Sequence, residues 1–251
     1  MVSTPAIVLS SMRYRESSKI VRLATLDLGV QSVIAKGALR PKSRFGAALQ
    51  LLSEGTAMFN YIDRRELHTL TTFDPDRIHL GLTSDLAKFA GGSVVAELML
   101  RFAPADRHPE SFELVRRALD LLEAAPTDAV ETITLRSVWQ LVGVLGFTPS
   151  LTQCARDGNA VPADGPVAFS PAEGGVLCTA CGATGETRTL PDAARRDLRA
   201  LIDPLAPWPL LDERHAAAHR RLFAHYVEYH LAEGRPLPAM RFWLARSWTA
   251  S

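Results

Sequence analysis

The chain has 251 residues, 47% of them hydrophobic and 22% charged, with a formal net charge of +1. That length allows one large domain or two to three small ones, and the balance is that of a soluble globular protein. The longest nearly apolar run, residues 141–147, is far short of the ~20 residues a membrane span needs, so no membrane role is expected. The first residues, MVSTPAIVLSSMRYRES, lack a basic region followed by a long apolar stretch, so no signal peptide is expected there. Three cysteines cannot pair completely, and two of them sit in a CxxC. That favours a reducing, intracellular compartment and metal over disulfide.

In chain order, residues 1–78 read as β. Short apolar runs fall at 6–9, 20–26, 30–35, 49–52, 56–62 and 67–73. Asp27-Leu28-Gly29 separates two of them and reads as a hairpin turn. Five or six short strands in this length suit a small closed barrel. After Pro75 the apolar spacing becomes helical over 80–102, 109–125 and 127–147, with Thr83 as candidate N-cap and Pro104 and Pro126 as stops. Residues 148–188 are rich in Gly, Pro, Ser and Asp with no period, a loop that must be disordered or held by something. Helices are expected again at 191–202, 212–233 and 238–246. The fold class is therefore α+β multidomain: a β-barrel at 1–78, then a helical domain at 79–251 with the 148–188 loop inserted.

Charge is uneven along this order. Residues 1–80 hold eleven Lys/Arg against seven Asp/Glu, and the stretch from Arg13 to Arg44 holds eight against two. These eight are Arg13, Arg15, Lys19, Arg22, Lys36, Arg40, Lys42 and Arg44. Cations in strands and one loop, with Tyr14 and Phe45 among them, fit a groove for single-stranded nucleic acid. Lys and Arg neutralise phosphates, and exposed aromatics stack on bases. Core packing is the alternative for Tyr14 and Phe45.

All three cysteines lie in the aperiodic loop. Cys178-Thr179-Ala180-Cys181 supplies one pair of zinc ligands, and Cys154-Ala155-Arg156-Asp157 supplies a second pair in which Asp stands at the last position. Zinc needs two such pairs to close a tetrahedron, and carboxylate is a harder, less common ligand than thiolate. The alternative is a reduced CxxC without metal; no βαβ context suggests redox chemistry. His215 and His219 are spaced i, i+4 on an expected helix, but only alanines lie between them. With His225 and His230 they read as a solvated polar face. No phosphate loop or GxSxG is present, and Leu177 rather than Pro precedes Cys178, so the PCxxC of a zinc deaminase is missing; no enzyme activity is expected.

The order Arg15-Glu16-Ser17-Ser18-Lys19, Leu28-Gly29, and Ala35-Lys36-Gly37-Ala38-Leu39-Arg40-Pro41-Lys42-Ser43 resembles the RecO DNA repair family. So do Ala47-Ala48-Leu49-Gln50, Leu145-Gly146-Phe147 and Phe169-Ser170-Pro171 followed by Gly174-Gly175, Cys178 and Cys181, and Arg235-Pro236-Leu237 near the end. The resemblance covers nearly the whole chain. It implies that the barrel is an OB-fold and the loop a zinc-binding insertion with one structural zinc per chain. It also implies a recombination mediator that binds and anneals single strands. With RecR it would help load recombinase onto strands coated by single-strand-binding protein. Expected partners are single- and double-stranded DNA, RecR and the C-terminal tail of single-strand-binding protein. The expected location is the cytoplasm, at the nucleoid. The chain departs from the four-cysteine members at Asp157. Other members lack the cysteines altogether, so this departure bears on the metal and not on the function. A metal-dependent enzyme and a zinc-ribbon interaction module without DNA are the competing readings.

An acidic, apolar tail needs an apolar slot and a cation. Arg136 is the lone cation between Arg117 and Arg156, at helical spacing from Trp139. Arg116 and Arg117, on the preceding expected helix, could add a second cation. These four residues form the expected partner site.

Overall fold

The computed structural model describes residues 1–246. They fall into two compact units, Met1–Thr127 and the chain from Asp128 onward.

In the first unit, β1 (Val2–Tyr14), β2 (Ser18–Thr25), β3 (Gly29–Ala35), β4 (Glu54–Asn60) and β5 (His68–Arg77) form a closed barrel in the order β1-β2-β3-β5-β4. Within the barrel only the β3–β5 pairing is parallel. Closure removes the sheet edges, and the five-stranded order is that of an OB-fold. The alternating residues Val21 and Leu23, Val33 and Ala35, and Ala57 and Phe59 supply the core. The expected hairpin forms at Asp27-Leu28, with Gly29 at φ 67°. Any side chain at Gly29 would also meet the Asp106 carbonyl, since a Cβ would lie 2.3 Å from it.

The expected strand at 49–52 does not form. Residues 36–53 run instead as successive turns. They close one part of the barrel core with Ala38, Phe45, Ala48 and Leu49, while Leu52 packs against the following helices. The apolar run is there for burial, not for pairing.

The helix expected over 80–102 is broken into α1 (Leu80–Thr83) and α2 (Leu86–Phe102). The cap is Asp85 rather than Thr83: its carboxylate accepts from the main-chain N–H of Ala87 at 2.8 Å and of Lys88 at 3.1 Å. Gly92 lets α2 sit close to the turn region, because a Cβ there would come 2.8 Å from Leu52 Cδ1. α3 (Pro109–Ala124) begins on Pro109 as expected. The barrel ends at Arg77, next to the boundary expected at 78, but the compact unit continues through α2 and α3 to Thr127.

His79 joins these parts. It is buried, at φ 44°, with Nε2 2.9 Å from Glu54 of β4 and Nδ1 2.7 Å from Glu123 of α3. Burial pulls its pKa down, but the two carboxylates outweigh that and the net shift is upward. A raised pKa means the folded state holds the proton more tightly than the unfolded one. Its stabilisation is complete below the unfolded value of about 6.5 and is lost as pH rises through the folded value. Thermal scans of the full chain from pH 6 to pH 9 should therefore show a fall in melting temperature that His79→Gln lacks. Equal pH dependence in the two proteins would remove this role.

In the second unit, α4 (Val130–Val144) is followed by a small sheet of β6 (Val167–Ser170), β7 (Gly175–Leu177) and β8 (Arg188–Leu190), in the order β7-β6-β8. The short α5 (Thr179–Gly182) lies between β7 and β8. α6 (Asp192–Ile202), α7 (Glu213–Val227) with a π turn over Glu228–Ala232, and α8 (Pro238–Ala245) complete the described part. The core is aromatic: Trp139 meets Phe223 edge-on at 4.9 Å, and Phe223 meets Trp243 at 6.2 Å. The aperiodic 148–188 segment is thus not a bare loop. Buried Val167, Phe169, Val176, Leu177 and Leu190 hold its sheet. Buried Arg195 of α6 fastens it from beneath by donating twice to the Leu151 carbonyl, at 3.0 and 2.7 Å.

Candidate nucleic-acid interface and metal centre

Three of the eight expected DNA contacts converge. Arg15 in the β1–β2 turn, Lys36 just past β3 and Arg40 in the following turn line one cleft of about 560 Å³ with Tyr14 and Ile34. All three cations are exposed. Arg13 and Lys19 are cross-strand partners on one sheet face; like charges placed opposite one another repel, so an anion there relieves a standing cost. Lys19 Nζ is 3.4 Å from the Leu49 carbonyl.

Lys42 lies exposed and Arg44 follows it in the turn segment, which buried Phe45 pins to the core. At 2% exposure Phe45 is not a base-stacking platform. It anchors the loop, and the Arg44 guanidinium lies 5.0 Å over its ring. Tyr14 remains half-buried at the cleft, with Arg15 5.3 Å over its ring. Arg22 is three positions from Lys19 and therefore on the opposite strand face. Its neighbours across the strands are Ser10 and Ser32. Arg22 therefore does not share a row with Arg13 and Lys19.

The second constellation is the cysteine cluster. The ligand atoms of Cys154, Asp157, Cys178 and Cys181 all lie within 4.8 Å of one another. Cys154 opens a turn closed by Gly158 N–H to the Cys154 carbonyl at 2.9 Å, and its own N–H donates to the Asn159 carbonyl at 2.8 Å. Cys178 is the N-cap of α5 and Cys181 lies in its single turn. Gly182 lets that turn pack on the sheet, since a Cβ there would come 2.7 Å from Ala168 Cβ.

Asp157 faces the sulfurs: the thiols of Cys181 and Cys178 approach its Oδ2 at 3.2 and 3.5 Å. Asn159 steadies the carboxylate through main chain and side chain, at 3.0 and 2.9 Å. The bond to Cys154, followed by those from Asn159 and Cys181, holds the Asp157 carboxyl well below the usual range. The same carboxylate pushes the Cys181 thiol up to about 12. Burial and Asp157 both raise Cys154, but main-chain N–H groups of Cys178, Asp157 and Arg156 overcome them and lower it. Amides aimed at a sulfur are what a thiolate ligand needs. Arg156 completes the surround, bridging Glu173 at 2.8 Å and the Cys181 carbonyl at 3.3 Å. Three thiols and a preset carboxylate on neighbouring turns fit a tetrahedral ion, and the cluster is able to hold a metal.

A second close group, Glu54, His79 and Asp120, also lies within 4.8 Å. Both His79 nitrogens already meet carboxylates, and Asp120 pairs with Arg77. It is a charge cluster that joins β4 and β5 to α3.

The expected partner site needs correction. Arg136 is 6% exposed and its guanidinium donates to the carbonyls of Ala200 (2.6 Å), Asp203 (2.8 Å), Pro204 (2.9 Å) and Ala206 (3.1 Å). These carbonyls lie at the C-terminus of α6 and beyond, where unsatisfied acceptors collect and a cation is favoured. Trp208 stacks over the same guanidinium at 5.0 Å. Trp139 is fully buried against Phe223 and Tyr226. Arg116 is paired with Glu113 at 2.6 Å, and Arg117 is exposed on α3. A lone cation in an apolar stretch does need an acceptor, but here the chain supplies it. His219, read as part of a polar face, is also different: it is 2% exposed.

Comparison with known proteins agrees with this barrel-plus-helical architecture. A family described as "Recombination protein O N terminal" matches residues 1–77, and one described as "Recombination protein O C terminal" matches residues 83–239. A DNA repair protein RecO from Anaeromyxobacter sp. (strain K) is 34% identical over 96% of this chain and 95% of its own. One from Nocardioides sp. (strain ATCC BAA-499 / JS614) is 31% identical over 91% and 94%. A small OB barrel with a cationic cleft defines a nucleic-acid-binding class of protein. Within that class, the chain belongs to the RecO family, and its function is DNA repair and recombination.

Proposed function

We propose that the protein is a non-enzymatic recombination mediator that binds and anneals single-stranded DNA through the barrel. The observation that carries this reading is the convergence of Arg15, Lys36 and Arg40 on one exposed cleft beside Tyr14. Cations around a groove with a half-exposed ring suit a strand whose phosphates and bases are both accessible. We extend the proposal to the remaining family properties: double-stranded DNA as a further ligand, RecR and the tail of single-strand-binding protein as partners, and a place at the nucleoid in the cytoplasm. The geometry of Arg136 does not support it as the tail's cation. Among the four residues expected to bind that tail, Arg117 alone keeps an exposed guanidinium with no ion pair among the described residues.

For the metal we propose zinc, one per chain, held by Cys154, Asp157, Cys178 and Cys181. Its role is structural, because four protein ligands leave no open position for substrate. When bound, it would fix the 148–188 sheet by cross-linking its two ends.

The test is annealing of two complementary oligonucleotides by purified full-length protein, without nucleotide cofactor. The proposal expects annealing faster than the uncatalysed rate. Substitution of Lys42 alone should have a small effect, as one contact among several. Protein that neither binds single strands nor speeds their pairing would contradict the reading.

A further inference from the structure

Between β8, the start of α6 and the exposed side of α7 lies a cavity of about 420 Å³. Phe169, Leu190, Pro191 and Leu222 give it apolar walls. Arg188, Arg214 and Arg221 also line it, and among the described residues no carboxylate does. None of these three arginines is in an ion pair with a described residue. The nearest polar side-chain partner of Arg188 is His225, at 3.5 Å. Arg214 and Arg221 are exposed, two turns apart on α7, with Ala218 between them. Two turns separate them by about 10 Å along the axis, and the alanine leaves the space between them open.

His219 lies against this cavity. Its side chain is buried, and neither ring nitrogen has a hydrogen-bond partner among the described residues. The closest carboxylate, Asp197, stands 3.9 Å from Nε2, too far for a hydrogen bond. Burial lowers the pKa of this imidazole and outweighs the attraction of Asp197, so the ring is neutral, with one donor and one acceptor. A buried donor and acceptor left dry are both costly, and a ligand that reaches them gains from each.

A ligand must answer all three features together. A peptide with an apolar side chain and a neighbouring carboxylate would satisfy the walls, and its main-chain groups could reach His219, but it sets one charge among three arginines spread over β8 and two turns of α7. A lone phosphate would leave the walls empty. A nucleotide within a strand carries a flat apolar face, an edge with both donors and acceptors, and phosphates on either side. We propose that this cavity is a second site for single-stranded DNA, which holds one unstacked base against His219 and its flanking phosphates on Arg188, Arg214 and Arg221. This rests on the reading of the chain as a single-strand-binding protein. It adds what annealing requires, a second place on one molecule for the second strand.

The experiment uses full-length wild type, the double variant Arg214→Glu/Arg221→Glu, and Arg188→Glu on a different element. Binding is read with a labelled oligodeoxythymidylate, annealing with a complementary oligonucleotide pair, and contact by photocrosslinking of an oligonucleotide carrying iododeoxyuridine. Reversal of two phosphate-facing charges should slow annealing about tenfold or more and leave single-strand affinity within about threefold of wild type. The crosslink to the peptide containing residues 214–222 should disappear, and Arg188→Glu should act in the same direction. Normal annealing and an intact crosslink in both variants overturn this site while the barrel reading stands. An acidic peptide ending in phenylalanine that binds wild type but not the variants, with annealing unchanged, also overturns it. Wild type that fails to bind the labelled strand at any salt concentration removes the parent reading instead.

Discussion

Removing the metal from the Cys154, Asp157, Cys178, Cys181 cluster is expected to release the 148–188 segment and lower the melting temperature of the chain. Without a cation, three sulfurs and a carboxylate share protons at distances such as 3.2 Å between Cys181 and Asp157. Cys154, Asp157, Cys178 and Cys181 would hold a divalent ion in place of those protons, and it would tie the turn at Cys154 to the one at Cys178. Structural zinc sites contribute apparent binding energies of about 10–16 kcal/mol near neutral pH. This segment also has the buried Phe169, Val176 and Leu177 and is held by Arg195, so the chelated protein should loosen locally and keep its helices. Cys178→Ser should reproduce the loosening, seen as early proteolysis within 148–188. Asp157→Cys should raise metal affinity, since a fourth soft thiolate suits zinc better than a carboxylate. Protein purified without metal, yet protected from proteolysis in this segment, would contradict the account. So would an Asp157→Cys variant that binds zinc no more tightly.

Phe45→Ala is the second change with a large expected effect. The ring is 2% exposed and fills the barrel core beside Leu49 and Phe59. Deletion of a fully buried Phe side chain typically costs about 3–5 kcal/mol. In a unit of this size that corresponds to a melting temperature lower by roughly 10–20 °C. The same ring pins the turns that display Arg40, Lys42 and Arg44, so DNA affinity should fall at temperatures where the variant is still folded. Phe45→Leu should recover most of the stability and the affinity with it. If Phe45→Ala keeps wild-type stability but loses DNA binding, the ring contacts the strand and its assignment to the core is wrong.

The barrel was legible in the sequence because its signals are local. Alternating Val21 and Leu23, the Asp27-Leu28-Gly29 turn and the density of short runs each report on their own neighbourhood. Residues 49–52 misled for the same reason: a buried apolar run looks alike whether it pairs with a neighbour or plugs a core. The break at Asp85 was hidden because Thr83 and Asp85 are both acceptable caps, and only the geometry of the Ala87 and Lys88 amides chooses between them. The cysteine spacing pointed to the candidate metal ligands, including Asp157. It could not reveal the small sheet around them, whose strands are three or four residues long.

Arg136 shows the limit most clearly. Its isolation in sequence signals a cation that needs partners, but those partners are carbonyls 64 to 70 residues away. Nothing in the local pattern points to them. His79 and His219 are similar cases, since the Glu54 and Glu123 contacts and the cavity on α7 exist only once the chain is folded.

The most direct test of the central claim is the salt dependence of single-strand binding by the wild type and by a variant with Arg15, Lys36 and Arg40 all replaced by Ala. These side chains are exposed around the barrel cleft, so their removal should leave the fold intact. Each phosphate neutralised on a single strand contributes about 0.7 to the slope of log affinity against log salt. The account predicts weaker binding at low salt and a slope flatter by about 2 once these three cations no longer neutralise phosphates. A folded triple variant with the wild-type slope would contradict it and place the DNA-binding surface outside this cleft.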